Sequence, residues 1–344
     1  MNQLLRKLLD DKKPSRRACH STGNAFESAD YYERQFEEWQ QCGFAWAKIL
    51  AAGDSQVDTV RRLTRKTKII PIIRFYDTSA PANVVDRGLL QPYLDAGCLL
   101  YESPHNEFYA PHENQWGSGG MPADWPQQVA NGWSQFANIV LQAGGVPTTP
   151  AIETWHYADI FEPLFAVLCE KYAGLLRQSI IAIHNRTLNH PATYDKDPGG
   201  FLGWAWCDRF VAARVGPVPI IATEAGPEPG WDQDRTFPQV TPQSHAQMIQ
   251  DILSWPTPDH YLADCFWLWE GSGAWDGARW KNNAQHMGGQ DLPIVNALKA
   301  WQPGPPPPPV PPPAPDLPVA RLRVAMDERL TLYAWGAKRA WQLG

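Results

Sequence analysis

Two short stretches of this chain close an apolar run on a carboxylate. In Cys98-Leu99-Leu100-Tyr101-Glu102-Ser103-Pro104-His105-Asn106-Glu107 a brief apolar segment breaks into a dense polar cluster, and in Pro217-Val218-Pro219-Ile220-Ile221-Ala222-Thr223-Glu224-Ala225-Gly226 a second one ends on a glutamate with glycine two residues later. Two carboxyl groups brought face to face can divide labour: the protonated one donates to a departing oxygen while the ionised one attacks carbon. Glu107 and Glu224 are the candidate pair.

The elements that must bring them together are parallel strands. The run after Gly97 alternates poorly between apolar and polar residues, which fits a strand covered on both faces, and Pro104 then forbids further ladder pairing. In a parallel α/β barrel all strands point one way, so residues far apart in sequence meet at the C-terminal rim. Further strands are predicted at Arg17 to His20, Phe44 to Leu50, Lys68 to Phe75, Gly145 to Ile152, Ser179 to Ile183 and Asp264 to Gly271. Between them lie helix-length segments: Glu27 to Gln41, a helix capped by Gly53-Asp54-Ser55 and running through Arg65, Val84 to Asp95, Trp125 to Ala143, Ile160 to Leu176, Phe201 to Val215 and Gln243 to Ser254. Pro293 to Trp301 closes the ring. Eight strands in alternation with helices predict a single (β/α)8 TIM barrel. A doubly wound open sheet would need a glycine-rich phosphate turn after an early strand, and Gly23 alone is not one.

Each predicted strand ends in polar or aromatic residues, which adds candidates around the pair. His184 closes the sixth strand, Arg74 the third, and Glu153 and His156 follow the fifth. Glu102 is the chief rival to Glu107, but a carboxylate inside a strand is expected to pair with a barrel cation such as Arg74 or Lys48. The long segments from Phe108 to Pro122 and from Thr187 to Gly200 are read as functional loops. Seventeen tryptophans is a high number for 344 residues. Several stand in glycine- or proline-rich segments: Trp116, Trp125, Trp231, Trp275 and Trp280. Indole faces stack on flat ligands and on the apolar faces of sugar rings.

Composition bounds the rest. A formal net charge of -6 with pI near 5.8 argues against a nucleic-acid partner. No segment is apolar enough to span a membrane. The six cysteines, Cys19, Cys42, Cys98, Cys169, Cys207 and Cys265, show no metal spacing and are expected as buried free thiols, which points to a reducing compartment. Met1 to Lys13 reads as a short amphipathic helix too charged for a signal-peptide core. The expected location is cytoplasmic, or secreted if a leader has been removed. From Pro303 the composition turns to proline, so residues 1–302 are expected to form the barrel, 303–318 an extended linker and 319–344 a short tail or partial module.

Taken together, the pattern resembles the clan A glycoside hydrolases, retaining β-glycosidases on a (β/α)8 barrel with Asn-Glu after the fourth strand and Glu after the seventh. Asn106-Glu107 and Thr223-Glu224-Ala225-Gly226 match the two elements on the strands where that clan carries them, over roughly Arg16 to Trp301. The clan commonly has Asn-Glu-Pro, and here Phe108 follows. The resemblance implies Glu107 as acid/base, Glu224 as nucleophile, Asn106 as a contact to the sugar 2-hydroxyl, His184 as a residue orienting the nucleophile and Trp269 as a platform beneath the sugar. It implies an oligo- or polysaccharide substrate and no cofactor. Trp116, Arg74 and His156 are further cleft candidates.

Two other functions use the same residues. His20, His105, His156 and His184 all fall at predicted strand ends, where three could gather zinc for a metal-dependent barrel hydrolase. A catalytically silent carbohydrate-binding barrel would keep the aromatic cleft without turnover.

Overall fold

A computed structural model describes residues 3–6, 15–76, 85–111, 113, 116, 119–231, 234–271, 275–301, and the backbone of 323–326 and 332–335. The chain divides into two compact units, Met1–Pro305 and Pro306–Gly344. In the second, Arg323–Met326 and Leu332–Trp335 pair as antiparallel strands. The linker expected over 303–318 lies outside the described residues, as does most of the helix expected at Met1 to Lys13.

The first unit is built on one parallel sheet. Its strands are β1 (Arg17–His20), β2 (Trp46–Ala51), β3 (Ile70–Phe75), β4 (Leu100–Glu102), β5 (Val146–Pro147), β6 (Ile152–Glu153), β7 (Ile181–Asn185), β8 (Ile220–Ala225) and β9 (Tyr261–Phe266). They lie in the order β5-β4-β3-β2-β1-β9-β8-β7-β6. The two ends of that order are consecutive in the chain. Thr148 N–H donates to Tyr101 O on one side, and Ile180 N–H donates to Pro147 O on the other. The ring is therefore closed, and β5 and β6 are two halves of one stave interrupted where Pro147 and Pro150 supply no N–H.

The sequence expectation of eight staves holds, with shifts in two of them. The fifth is split, as described. The eighth, expected at Asp264 to Gly271, spans Tyr261–Phe266, so Trp267 to Glu270 fall beyond its end. The single helix expected from Ile160 to Leu176 is the end of a π turn (Tyr157–Phe161), a helix Glu162–Lys171 and a short helix Ala173–Leu176. Two helices, Ala29–Glu33 and Phe36–Gln41, replace the single one expected at Glu27 to Gln41. The helix expected to be capped by Gly53-Asp54-Ser55 is Val57–Lys66, and Gln56 is its N-cap.

Burial follows the strand period of two. Ala18, Trp46, Ile70, Ile72, Leu100, Val146, Ile180, Ile221 and Cys265 fill the barrel interior. Cys19, Ala47, Ile49, Ile73, Tyr101, Ile181 and Phe266 face outward into the layer of helices. All six cysteines are free and buried. Among the described residues no helix is long and apolar enough to cross a membrane.

Above the apolar interior the same inward rows turn polar. Two residues on from Ala18, Trp46, Ile72 and Leu100 stand His20, Lys48, Arg74 and Glu102, all buried. They form a polar floor beneath a cavity at the C-terminal mouth, and Arg74 alone of the four lines it.

Candidate active site

Glu224 reaches this floor through a local irregularity of β8. Ile221 faces inward, so strict alternation would bring Thr223 inward next and turn Glu224 out toward the helices. The pairing with β7 steps from Ile183↔Ala222 to His184↔Glu224, leaving Thr223 as an extra residue. A bulge of this kind re-aims the following side chain. Gly226 ends the strand at φ +89°, and a Cβ there would stand 2.7 Å from the Phe266 ring, so glycine is required.

Glu107 arrives differently. Beyond Pro104 the chain leaves the ladder, and Glu107 sits at φ +37°, a left-handed conformation that costs a non-glycine residue about 1–3 kcal/mol. Its N–H donates to Ala151 O at 3.0 Å and its carbonyl accepts from Ala110 N–H at 2.6 Å, which hold the turn. One carboxylate oxygen each from Glu107 and Glu224 and one ring nitrogen of His184 lie within 4.8 Å of one another.

His184 links the pair. Its Nδ1 hydrogen-bonds the Glu107 carboxylate and its Nε2 lies 3.6 Å from Glu224 Oε1. Glu224 is further enclosed by cations: Arg186 Nη2 donates to Oε2 at 2.7 Å, Lys48 Nζ to Oε1 at 3.2 Å, and Arg74 Nη1 stands 3.9 Å away. Burial opposes its charge, but His184, Lys48 and Arg186 outweigh that and hold its carboxyl well below the usual range. Burial and the neighbouring Lys48 hold His20 neutral, and its Nε2 is 3.8 Å from Glu224.

Glu102, the rival carboxylate, is fully buried against Lys48 Nζ at 3.1 Å and does not line the cavity. It compensates the lysine, as its place inside the strand implies. Glu153 does line the cavity. Burial first, then the Glu107 charge, push its carboxyl up to about 8. Tyr109 ties it in place, accepting from Glu153 N–H at 3.0 Å and donating to Oε2 at 3.4 Å.

The cavity holds about 570 Å³. Asn106, Arg74, Glu113 and Arg186 join the glutamates in its wall, and Phe26, Tyr76, Trp231, Trp267 and Trp275 supply aromatic surface. Of the four large apolar side chains exposed among the described residues, three line it: Phe26, Tyr76 and Trp275. Isolated exposed apolar residues are ordinary, whereas three gathered at one mouth mark a ligand surface.

Several expected contacts fall elsewhere. Trp269 does not face the cavity: it is fully buried, packed edge-on against Trp39 and Phe44 and beside Trp280. The strand ends at Phe266 and not at Gly271 as expected, so Trp267 occupies the wall, with the Arg186 guanidinium 5.2 Å from its ring centre. Trp116 is half-buried against the helical layer and outside the cavity wall. His156 is half-buried, bonded to Asp159 at 2.9 Å and with its ring tilted against Tyr109 at 4.8 Å, behind Glu153. The Asn106 amide donates to Glu113 Oε1 at 2.8 Å, and Arg74 Nη2 donates to both Glu113 oxygens at 3.0 and 3.1 Å.

Sequence reasoning missed Arg186, Glu113 and Trp267. Arg186 had a signal, since it follows His184 by two and so shares its face at the rim. Glu113 had only its place in a long loop.

The histidines do not assemble into a three-histidine set among the described residues. His105 bonds Ser103 Oγ at 3.1 Å, and His156 belongs to the outer wall. Among the described residues the one cluster with metal-ligand spacing is Glu107, His184 and Glu224. It is a poor fit for a dication, because Lys48, Arg74 and Arg186 already crowd Glu224 with fixed positive charge.

The sequence matches no family model. It matches no curated protein. In fold it is similar to fungal β-1,4-galactanases, at TM-score 0.53 and 10% identity over 83% of this chain and 99% of that one. It is similar also to β-glucuronidase 2 of Bacteroides uniformis, at TM-score 0.53 and 10% identity over 83% of this chain and 34% of that longer one. These structural neighbours are glycoside hydrolases, and at such identity the likeness is one of fold: the (β/α)8 barrel.

Proposed function

We propose that this protein hydrolyses β-glycosidic bonds with retention of configuration, Glu224 serving as nucleophile and Glu107 as acid/base. The observation that carries the reading is the pair of carboxylates at the barrel mouth with oxygens within 4.8 Å. Retaining glycosidases hold their two carboxyl groups about 5–5.5 Å apart, whereas inverting ones leave about 6.5–9.5 Å for an intervening water.

In the first step a Glu224 oxygen attacks the anomeric carbon. The bond to the departing oxygen breaks, and that oxygen keeps the electron pair and takes the proton of Glu107. The cations around Glu224 keep it ionised for attack. In the second step water adds to the anomeric carbon, Glu107 takes its proton, and the ester bond returns its electron pair to Glu224. Forming the ester removes the Glu224 charge, which favours ionised Glu107 at the moment it must act as base. His184, in contact with Glu107 and near Glu224, couples the two changes. The aromatic side chains at the mouth offer stacking surfaces to the flat faces of a sugar.

The test is trapping. A 2-fluoro glycoside of a cleaved sugar should add its mass to the peptide carrying Glu224, and Glu224→Gln should bind sugar yet barely turn over. A label on another peptide, or product of inverted configuration, would refute the assignment. Binding without turnover by the unaltered protein would leave a silent carbohydrate-binding barrel.

A further inference from the structure

A second cavity opens on the same rim, holding about 580 Å³ and lined by residues that include Trp155, Leu188, Tyr194, Asp197 and Asp234. Three consecutive loops furnish both cavities. Glu153 lines the first and Trp155 the second; Arg186 lines the first and Leu188 the second; Trp231 lines the first and Asp234 the second. Residues two or three apart in a chain have Cα atoms at most about 7 or about 11 Å apart. The two cavities therefore meet along the rim above β6, β7 and β8, within reach of adjoining sugar units.

The second cavity is built rather than incidental. Asp197 accepts from Gly199 N–H at 2.8 Å and from the Tyr194 hydroxyl at 2.6 Å. Asp234 accepts from Thr236 N–H at 2.8 Å and contacts His190 Nε2 at 3.0 Å. His190 and Tyr194 stack at 3.8 Å. Leu188 holds φ +50°, a costly conformation for a leucine that the surrounding packing must impose. Fixed carboxylate acceptors beside a half-buried indole suit a ring with hydroxyls on its edge and an apolar face.

We propose that this groove is a distal subsite for the same glycan chain, so that the substrate is a β-linked oligo- or polysaccharide of several units and not a small glycoside. The inference rests on the glycosidase reading above. Trp155 is its specificity-determining residue, stacking on a sugar remote from the bond that breaks.

The experiment compares kcat/KM on an aryl β-glycoside with that on β-1,4-linked gluco-, manno- and galacto-oligosaccharides from dimer to hexamer, alongside calorimetric binding of the same oligosaccharides. Efficiency should rise with chain length. Trp155→Ala should cut efficiency on the longest cleaved series about tenfold, the worth of one aromatic stacking contact, chiefly through KM, and leave the aryl glycoside within about twofold. Trp155→Phe should restore most of the loss. Equal loss on short and long substrates, or no loss on either, overturns the subsite. If nothing is cleaved but long oligosaccharides bind better than short ones in a Trp155-dependent way, the hydrolase reading fails and the groove stands. If no oligosaccharide binds, the groove falls.

Discussion

Glu153 provides a direct test of the electrostatics of the cavity, because its carboxyl is held protonated by its surroundings. It is 15% exposed, against Tyr109 and His156, and its charge would face those of Glu107 and Glu224 with Arg186 as the nearby counterweight. The unfolded chain releases this proton near 4.5, and the folded protein holds it to about 8. Between those values the folded state binds more protons than the unfolded one, so stability falls as pH rises from 4.5 toward 8 and levels above it. At about 1.4 kcal/mol per pH unit the ceiling is roughly 5 kcal/mol. Residual solvent contact and local relaxation reduce that to about 2–4 kcal/mol. Glu153→Gln removes the ionisation and keeps an oxygen for the Tyr109 hydroxyl. The unfolding free energy of the variant minus that of the unaltered protein, from urea titrations at pH 5, 7 and 9, should therefore grow by that amount from pH 5 to pH 9. Changes from other groups cancel in the difference. A flat difference, or a variant that loses ground at pH 9, would mean that Glu153 is ionised in the folded state and that the charge arrangement described for the cavity is wrong.

Glu107→Ala should lose about 10²- to 10⁴-fold on substrates with poor leaving groups and far less on aryl glycosides whose leaving group needs no proton; equal loss on both would remove its acid role. Lys48→Met leaves buried Glu102 and Glu224 without a shared counter-ion and should cost about 3–5 kcal/mol of stability, part of which Glu102→Gln in the same chain restores. Denaturant titration of the single and double variants checks this, and strictly additive losses would sink it. Trp269→Ala should destabilise by about 3–5 kcal/mol while leaving the KM of folded protein unchanged, and Trp267→Ala should raise KM. Kinetics and thermal melts showing the opposite pattern would return Trp269 to the cavity.

The sequence by itself determined the stave pattern and the neighbourhood of the chemistry. Short apolar runs, each closing on polar residues and separated by helix-length segments, admit few arrangements other than a parallel barrel, and such a barrel collects strand ends at one mouth. That is why Asn106, Glu107, Arg74, His184 and Glu224 could be named from the chain. Tertiary structure alone decided which way the side chains point. The extra residue at Thr223 turns Glu224 inward, and one-dimensional alternation carries no mark of it. The early end of β9 exchanges Trp269 for Trp267, since both are tryptophans in one apolar run and only packing against Trp39, Phe44 and Trp280 distinguishes the buried one. Glu113 reaches Arg74 and Asn106 from a loop, and Lys48 serves Glu102 and Glu224 together. Contacts of this kind join segments far apart in sequence, and distance along the chain says nothing of distance across a closed barrel.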